Sequence, residues 1–277
     1  MIELYTRKEE CCGCSACANV CHKHAIHMEQ DEKGYLYPVI EKELCVECGL
    51  CEKVCPLKEN KRENGFEKKA YGVKNINQEE RMKSSSGSVF IEVAKYVLNE
   101  NGVVYGVELT QDFQVRHERA ESLTDARKFQ GSKYVQSDKN DVFRRIQNDL
   151  KIGKTVLFTG TPCEVAGLKQ FLRREYDNLY TLDLICHGVP SMKLFQACLK
   201  EKEKISKVEE IRFRDKEYGW RNQELYIKLK NGTIYHAPIW GDNFYRLFTS
   251  NYILRDSCYT CKFANMERQG DITIGDF

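Results

Sequence analysis

Downstream of about residue 70, apolar positions alternate between helical spacing and short strand-length runs. A short apolar run at 70–73 comes first, followed by a helix over about 87–101. That helix sets Phe90, Val93, Ala94, Val97 and Leu98 on one face, with Gly102 as its C-terminal stop. A strand at 103–109 precedes a helix at about 139–152 carrying Val142, Phe143, Ile146 and Leu150, closed by Gly153. The strand Thr155–Thr159, a helix from Thr161 to about Arg173, a strand at 179–186 and a helix from Ser191 to about Ile205 continue the alternation. Strand, helix, strand in this order predicts βαβ units and a mainly parallel sheet. Beyond Ile211 the segments alternate residue by residue. Glu224–Lys230, Asn231-Gly232 and Thr233–Pro238 predict a hairpin on an Asn-Gly turn. The chain stops at the strand-like run Asp271–Phe277 with nothing after it to cover it, which reads as the cut end of a longer parent.

The first 55 residues break this pattern: they hold nine of the 14 cysteines, and the charged stretch LKENKRENGFEKKA follows. This places a small module at 1–60, a linker at 61–70 and an α/β domain with an antiparallel portion at 71–277. The net charge is +2, from 43 basic and 41 acidic side chains, so no field draws the chain to nucleic acid. The N-terminus lacks the apolar run of a signal peptide and no apolar stretch of 18 residues occurs, predicting a cytoplasmic protein without membrane insertion. Cytosolic thiols stay reduced, so the cysteines point to metal rather than disulfides.

Cys11, Cys14, Cys17 and Cys21 stand at C-x2-C-x2-C-x3-C, and Cys45, Cys48, Cys51 and Cys55 repeat that spacing before Pro56. This is the signature of an α+β, bacterial-type ferredoxin module with two 4Fe-4S clusters. In it the fourth cysteine of each run serves the other cluster. One cluster therefore falls to Cys11, Cys14, Cys17 and Cys55, the other to Cys45, Cys48, Cys51 and Cys21. Paired zinc ribbons fit poorly, because a zinc knuckle takes two ligands and not four per run. Two irregularities stand out: His22 follows Cys21 where Pro56 follows Cys55, and Cys12 is an additional thiol, read as a small packed side chain.

In the second domain, Thr159-Gly-Thr-Pro-Cys-Glu164 ends a strand and opens a helix, with Thr161 as N-cap, Pro162 in the first turn and Glu164 completing a capping box. Cys163 thus meets the positive end of a helix, which favours thiolate. Cys186 follows the next strand, and neighbouring parallel strands end beside one crevice. Cys258 and Cys261 supply a C-x2-C pair, and together the four predict a third 4Fe-4S cluster; Cys198, near Phe195 on a helix face, reads as core. The small hydroxylic stretch Ser84–Ser88 suits a phosphate or a flavin edge as well as a plain N-cap. Lys133, in the loop Gly131–Ser137, is placed to meet an anionic or carbonyl oxygen or simply solvent.

The doubled ferredoxin motif, SSSGS at 84–88, GSKYVQS at 131–137, GTPCEVAGL at 160–168, ICHGVPS at 185–191, CYTCKFAN at 258–265 and GDITIGDF at 270–277 together resemble the coenzyme F420 hydrogenase/dehydrogenase beta-subunit family, in order along the chain. The resemblance implies a flavoprotein with FAD beside an iron-sulfur cluster, passing electrons between a redox partner or ferredoxin-type donor and a small-molecule substrate. It implies flavin contacts at Ser85, Ser86, Gly87, Lys133, Tyr134, Thr161 and Pro162, and assigns no catalytic residue. Ser88 departs from the second glycine many relatives carry, and the family continues past the GDF element. Its substrates range from the deazaflavin coenzyme to chlorophyll derivatives. A ferredoxin-linked FAD oxidoreductase is the expectation. The alternative is a non-catalytic subunit that hands electrons to a separate catalytic partner.

Overall fold

In the computed structural model, which describes residues 2–58 and 69–276, each cysteine run enters a short helix. These are α1 (Ala16–Val20) and α2 (Leu50–Lys53), and between them lies the antiparallel hairpin of β1 (Ile26–Gln30) and β2 (Leu36–Ile40). Asp31 shapes that turn: its Oδ1 accepts the backbone N–H groups of Lys33 and Tyr35 at 3.0 and 2.9 Å. Most of the expected linker at 61–70 lies outside the described residues.

The remaining elements are α3 (Gln78–Met82), α4 (Val89–Asn99), β3 (Val103–Leu109), β4 (Val115–Ala120), α5 (Leu123–Ala126), α6 (Val142–Lys151), β5 (Val156–Thr159), α7 (Pro162–Leu172), β6 (Leu179–Leu184) and α8 (Met192–Glu203). They are followed by β7 (Val208–Asp215), β8 (Glu224–Leu229), β9 (Ile234–Ala237), α9 (Asn243–Thr249) and β10 (Ile272–Ile274). Five strands form one sheet in the order β10-β6-β5-β3-β4, parallel except for β4. The terminal strand-like run is thus an edge strand on β6. A second, antiparallel sheet, β7-β8-β9, contains the hairpin expected at 224–238.

Alternation along the strands sends successive side chains to opposite faces of the larger sheet. Val103, Tyr105 and Phe158 meet α6 and α7 on one face; Val104, Leu157 and Leu182 meet Ile91, Ala94 and Val97 of α4 on the other. Sequence periodicity did not foresee β4, β7, α3 or α9. In β4, Val-Arg-His-Glu-Arg-Ala looks polar, yet His117 is buried there and hydrogen-bonded on both ring nitrogens.

The ferredoxin-like part shares its core with the second part. Cys14, Ala16 and Val54 pack in one cluster with Tyr105, Phe143, Phe158, Leu168 and Phe171. Arg144 of α6 adds a polar tie at the C-terminal end of α1. Its Nε donates to the Asn19 carbonyl at 2.6 Å, and its Nη2 to the Ala18 and Cys21 carbonyls, each at 2.9 Å. A charged linker suggests independent units, but this buried contact makes them one packing unit.

Candidate functional site

The two cysteine runs have the same backbone trace. Gly13 and Ser15 in the first, and Glu47 and Gly49 in the second, stand two and four residues after the leading cysteine, and all have positive φ, from 51° to 71°. Alternating left-handed residues curl each loop so that successive cysteine side chains face one centre, a cradle suited to a cluster. Cys17 is half-buried and lies within electrostatic reach of Cys11 and Cys55; Cys14, which is buried, is within reach of Cys17 and Cys55. Cys21, Cys45, Cys48 and Cys51 instead line one small cavity with Ile2, Ile26 and Leu50. The grouping crosses the two runs.

Among the described residues, no three cysteine sulfurs lie within 4.8 Å of one another. A tetrahedral zinc with Zn–S bonds of about 2.3 Å brings its sulfurs to about 3.8 Å, so the wider spacing suits a polynuclear centre. The one close cage of possible ligands among the described residues is Asp215, Glu217 and His236, and Arg212 already pairs with Asp215 at 2.6 Å.

A third convergence lies where β5 and β6 end side by side. Cys163, on the first turn of α7, and Cys186, after β6, are within electrostatic reach of each other; Cys258 and Cys261 reach Cys163 from a later loop. Burial pushes the Cys258 thiol up to about 11 and the Cys186 thiol up as well, with neighbouring cysteines adding to it, while the hydrogen bond with Cys12 and then burial raise Cys163. Four half-buried thiols facing one another hold protons unless a cation takes their place. Thr161 sits at the N-cap, its N–H donating to Glu164 Oε2 at 2.8 Å, while its hydroxyl lies 3.2 Å from the Cys163 sulfur.

Cys12 occupies a position that its sequence context did not reveal. Its thiol is hydrogen-bonded to both Cys14 and Cys163, bridging the first ferredoxin group and the third group. Cys198 packs against the core cluster of α8 and the smaller sheet.

The third group borders a cavity of about 1560 Å³, lined by Cys186 and by Ser85, Ser86, Gly87, Lys133, Tyr134 and Thr161. Ligand sites usually span about 300–1,000 Å³, so this one has room for a dinucleotide and a second molecule. Pro162 is buried in the first turn of α7 and is not part of the lining. Ser85 and Ser132 tie two lining loops together through their hydroxyls at 2.8 Å. A Cβ on Gly87 would meet the Val73 carbonyl at 2.7 Å, so glycine is required there by packing. Ser88 has φ of 70°, the conformation a glycine takes without strain, and its hydroxyl donates to the Glu80 carbonyl at 3.1 Å.

Lys133 is half-buried, and its Nζ donates to the Lys128 and Gln130 carbonyls at 3.0 and 2.9 Å. Burial pulls its pKa down to about 7. Arg214, which sequence reasoning missed, lines the cavity and pairs with Asp276 at 2.7 Å. Its Nη2 is buried without a hydrogen-bond partner among the described residues. In the cavity wall Glu164 accepts from Lys139 at 2.8 Å and from Ser137 at 3.1 Å. Burial alone would raise the Glu164 pKa, but Lys139 and His117 bring it to about 2, keeping it a carboxylate. His117 falls to about 4 through burial and stays neutral.

Two doubled cysteine loops joined through a shared core to a mixed sheet domain define an iron-sulfur protein of the dicluster ferredoxin type with an α/β extension. Residues 10–58 match the family described as a 4Fe-4S dicluster domain, and residues 153–277 match the C terminus of the coenzyme F420 hydrogenase/dehydrogenase beta subunit. The second part of the chain thus carries the C-terminal domain of the coenzyme F420 hydrogenase/dehydrogenase beta-subunit family, behind a dicluster ferredoxin domain. An uncharacterized ferredoxin of Methanocaldococcus jannaschii is 34% identical over 55 residues, covering 20% of this chain and 70% of that protein. A chain of the F420-reducing [NiFe] hydrogenase complex from Methanosarcina barkeri shares the fold, with a TM-score of 0.51 and 16% identity over 73% of this chain and 68% of that one. Among the described residues no helix is long and apolar enough to cross a membrane.

Proposed function

We propose that this chain is an oxidoreductase that relays electrons from two ferredoxin-type clusters, through a third group of four cysteines, to FAD held in the large cavity. Its substrate is a small organic molecule, such as a coenzyme of the F420 type, taken up beside the flavin. The observation that carries the proposal is the position of Cys186, which lines the cavity and also stands among Cys163, Cys258 and Cys261. When bound, the clusters supply one-electron transfer and FAD joins it to two-electron chemistry.

The residues fit these groups. Cys11, Cys14, Cys17 and Cys55 would hold one cluster, Cys21, Cys45, Cys48 and Cys51 the second, and Cys163, Cys186, Cys258 and Cys261 the third. The orphaned Nη2 of Arg214 and the ammonium of Lys133 offer donors to an anionic or carbonyl oxygen in the cavity. Ser85, Ser86, Gly87, Tyr134 and Thr161 line its walls, and Pro162 sets the start of the helix behind Thr161.

Anaerobic purification with iron, sulfide and flavin counts tests this. About twelve irons and about one flavin per chain are expected, from three 4Fe-4S clusters. Cys163→Ser should remove about four irons and leave the ferredoxin signals unchanged. Full iron in that variant, or a parent with about eight irons, rejects the third cluster. The likeness to a chain of a multi-subunit hydrogenase complex favours a second reading, electron delivery to a separate catalytic partner. A visible spectrum without flavin bands over the iron-sulfur absorbance would support that reading instead.

A further inference from the structure

Arg255 is fully buried, yet among the described residues no carboxylate forms an ion pair with it. It comes from the loop before Cys258 and reaches into the first cysteine loop. There Nε donates to the Cys11 carbonyl at 2.8 Å, Nη2 lies 3.6 Å from the Cys11 sulfur, and Nη1 is 3.4 Å from Gln136 Oε1. The guanidinium stacks over Tyr37, 3.9 Å from the ring centroid. Glycine at position 13 keeps the approach open: a Cβ there would stand 3.0 Å from the Arg255 Cζ and 2.5 Å from Gln136 Nε2.

A buried guanidinium without an anion costs several kcal/mol, so its partner must be sought in what the site is built to hold. The titratable groups that act on it are the Cys11 thiol first, then the Tyr37 phenol and the Cys12 thiol, and of these the Cys11 sulfur is the one it meets, at 3.6 Å. A thiolate-ligated cluster is an anion, and it gains a further negative charge when it takes up an electron. A fixed cation against one ligand sulfur therefore stabilises the reduced form more than the oxidised form. Net charge and hydrogen bonds to sulfur are among the determinants of cluster potential. At the other group Arg144 is only half-buried and donates to the Cys21 carbonyl at 2.9 Å rather than meeting a sulfur, and Lys23, the only lysine or arginine lining its cavity among the described residues, is exposed to screening solvent.

We infer that Arg255 is the counter-charge of the cluster at Cys11, Cys14, Cys17 and Cys55, holding its reduction potential above that of the cluster at Cys21, Cys45, Cys48 and Cys51. Electrons entering at the outer cluster, whose Cys48 is exposed, then collect at the inner one, beside Cys12 and Cys163. The step is a one-electron transfer from the reduced outer cluster to the oxidised inner cluster, with no bond made or broken. Arg255 acts as a positioning residue that sets the direction of flow. The inference rests on the ferredoxin clusters alone; an iron count of about eight instead of about twelve would remove the third cluster and leave it standing.

Redox titration of the whole protein, followed by electron paramagnetic resonance, tests it. In the parent, the two ferredoxin potentials should differ by at least the equivalent of a tenfold equilibrium ratio, about 59 mV for one electron. Arg255→Gln should lower the higher of them by about that amount and leave the other in place. The signal that moves should be the one that Cys17→Ser abolishes. Arg255→Lys, which keeps the charge, should restore most of the shift. Equal potentials in the parent overturn the inference whatever the variants do. So does an Arg255→Gln protein with full iron and unmoved potentials, or one in which both potentials shift alike.

Discussion

A Cβ placed on Gly167 would stand 2.8 Å from both the Cβ and the sulfur of Cys14, so helix α7 packs its backbone directly against a cysteine of the first ferredoxin loop. Cys163 lies one turn earlier on the same helix, about 6 Å along its axis at a rise of about 1.5 Å per residue. One helix thus carries Cys163 at its start and supports the first ferredoxin group from its side. Gly167→Ala should cost about 1–3 kcal/mol through overpacking and lower iron content, because Cys14 has to move. Anaerobic melting followed by iron analysis checks this, and a variant matching the parent on both counts would show that the contact gives way without loss.

Cys12 touches sulfurs of two groups without belonging to either. Cys12→Ala should keep its full iron content and lose about 1–2 kcal/mol of stability from a small void and lost hydrogen bonding. Iron and sulfide counts on the purified variant decide the point. A deficit of about four irons would make Cys12 a ligand.

Lys133 gives a pH dependence with a definite sign. Its pKa falls from the ordinary lysine range to about 7 in the folded chain, so the unfolded state binds more protons between pH 7 and the usual lysine value near 10.5. Through that window this group makes the fold more stable as pH rises; below pH 7 the cost of burying the ammonium is fully present. A ligand whose anionic oxygen meets Lys133 binds the protonated form. Flavin affinity should therefore be flat below pH 7 and decline up to about tenfold per pH unit above it. Fluorescence titration between pH 6 and 9 measures this, and Lys133→Met should flatten the profile.

Arg144 satisfies carbonyls at the end of α1, including that of Cys21, from across the core. Arg144→Met keeps the apolar stem but strands those three acceptors, and should cost about 3 kcal/mol at about 1 kcal/mol per bond. Bleaching of the visible iron-sulfur absorbance on heating should occur at lower temperature in the variant. An unchanged bleaching curve would mean that water replaces the guanidinium without penalty.

The sequence by itself determined whatever depends on short spacing. Cysteines three and four positions apart dictate a doubled cluster loop, because one short stretch of chain places all four side chains, and helical or alternating apolar positions mark α4, α6, α7, α8 and the parallel strands through local backbone geometry. The capping box of Thr161 and Glu164 was legible for the same reason. Only the tertiary structure decided which distant groups meet. Arg255 reaches Cys11 across 244 residues, Cys12 and Cys163 share a hydrogen bond, and Ala16 shares a core with Phe143. No period or motif encodes such contacts. They follow from docking the hairpin and both cysteine loops onto α6 and α7, where burial of apolar surface holds the parts together and brings a cation from one part against a sulfur of the other.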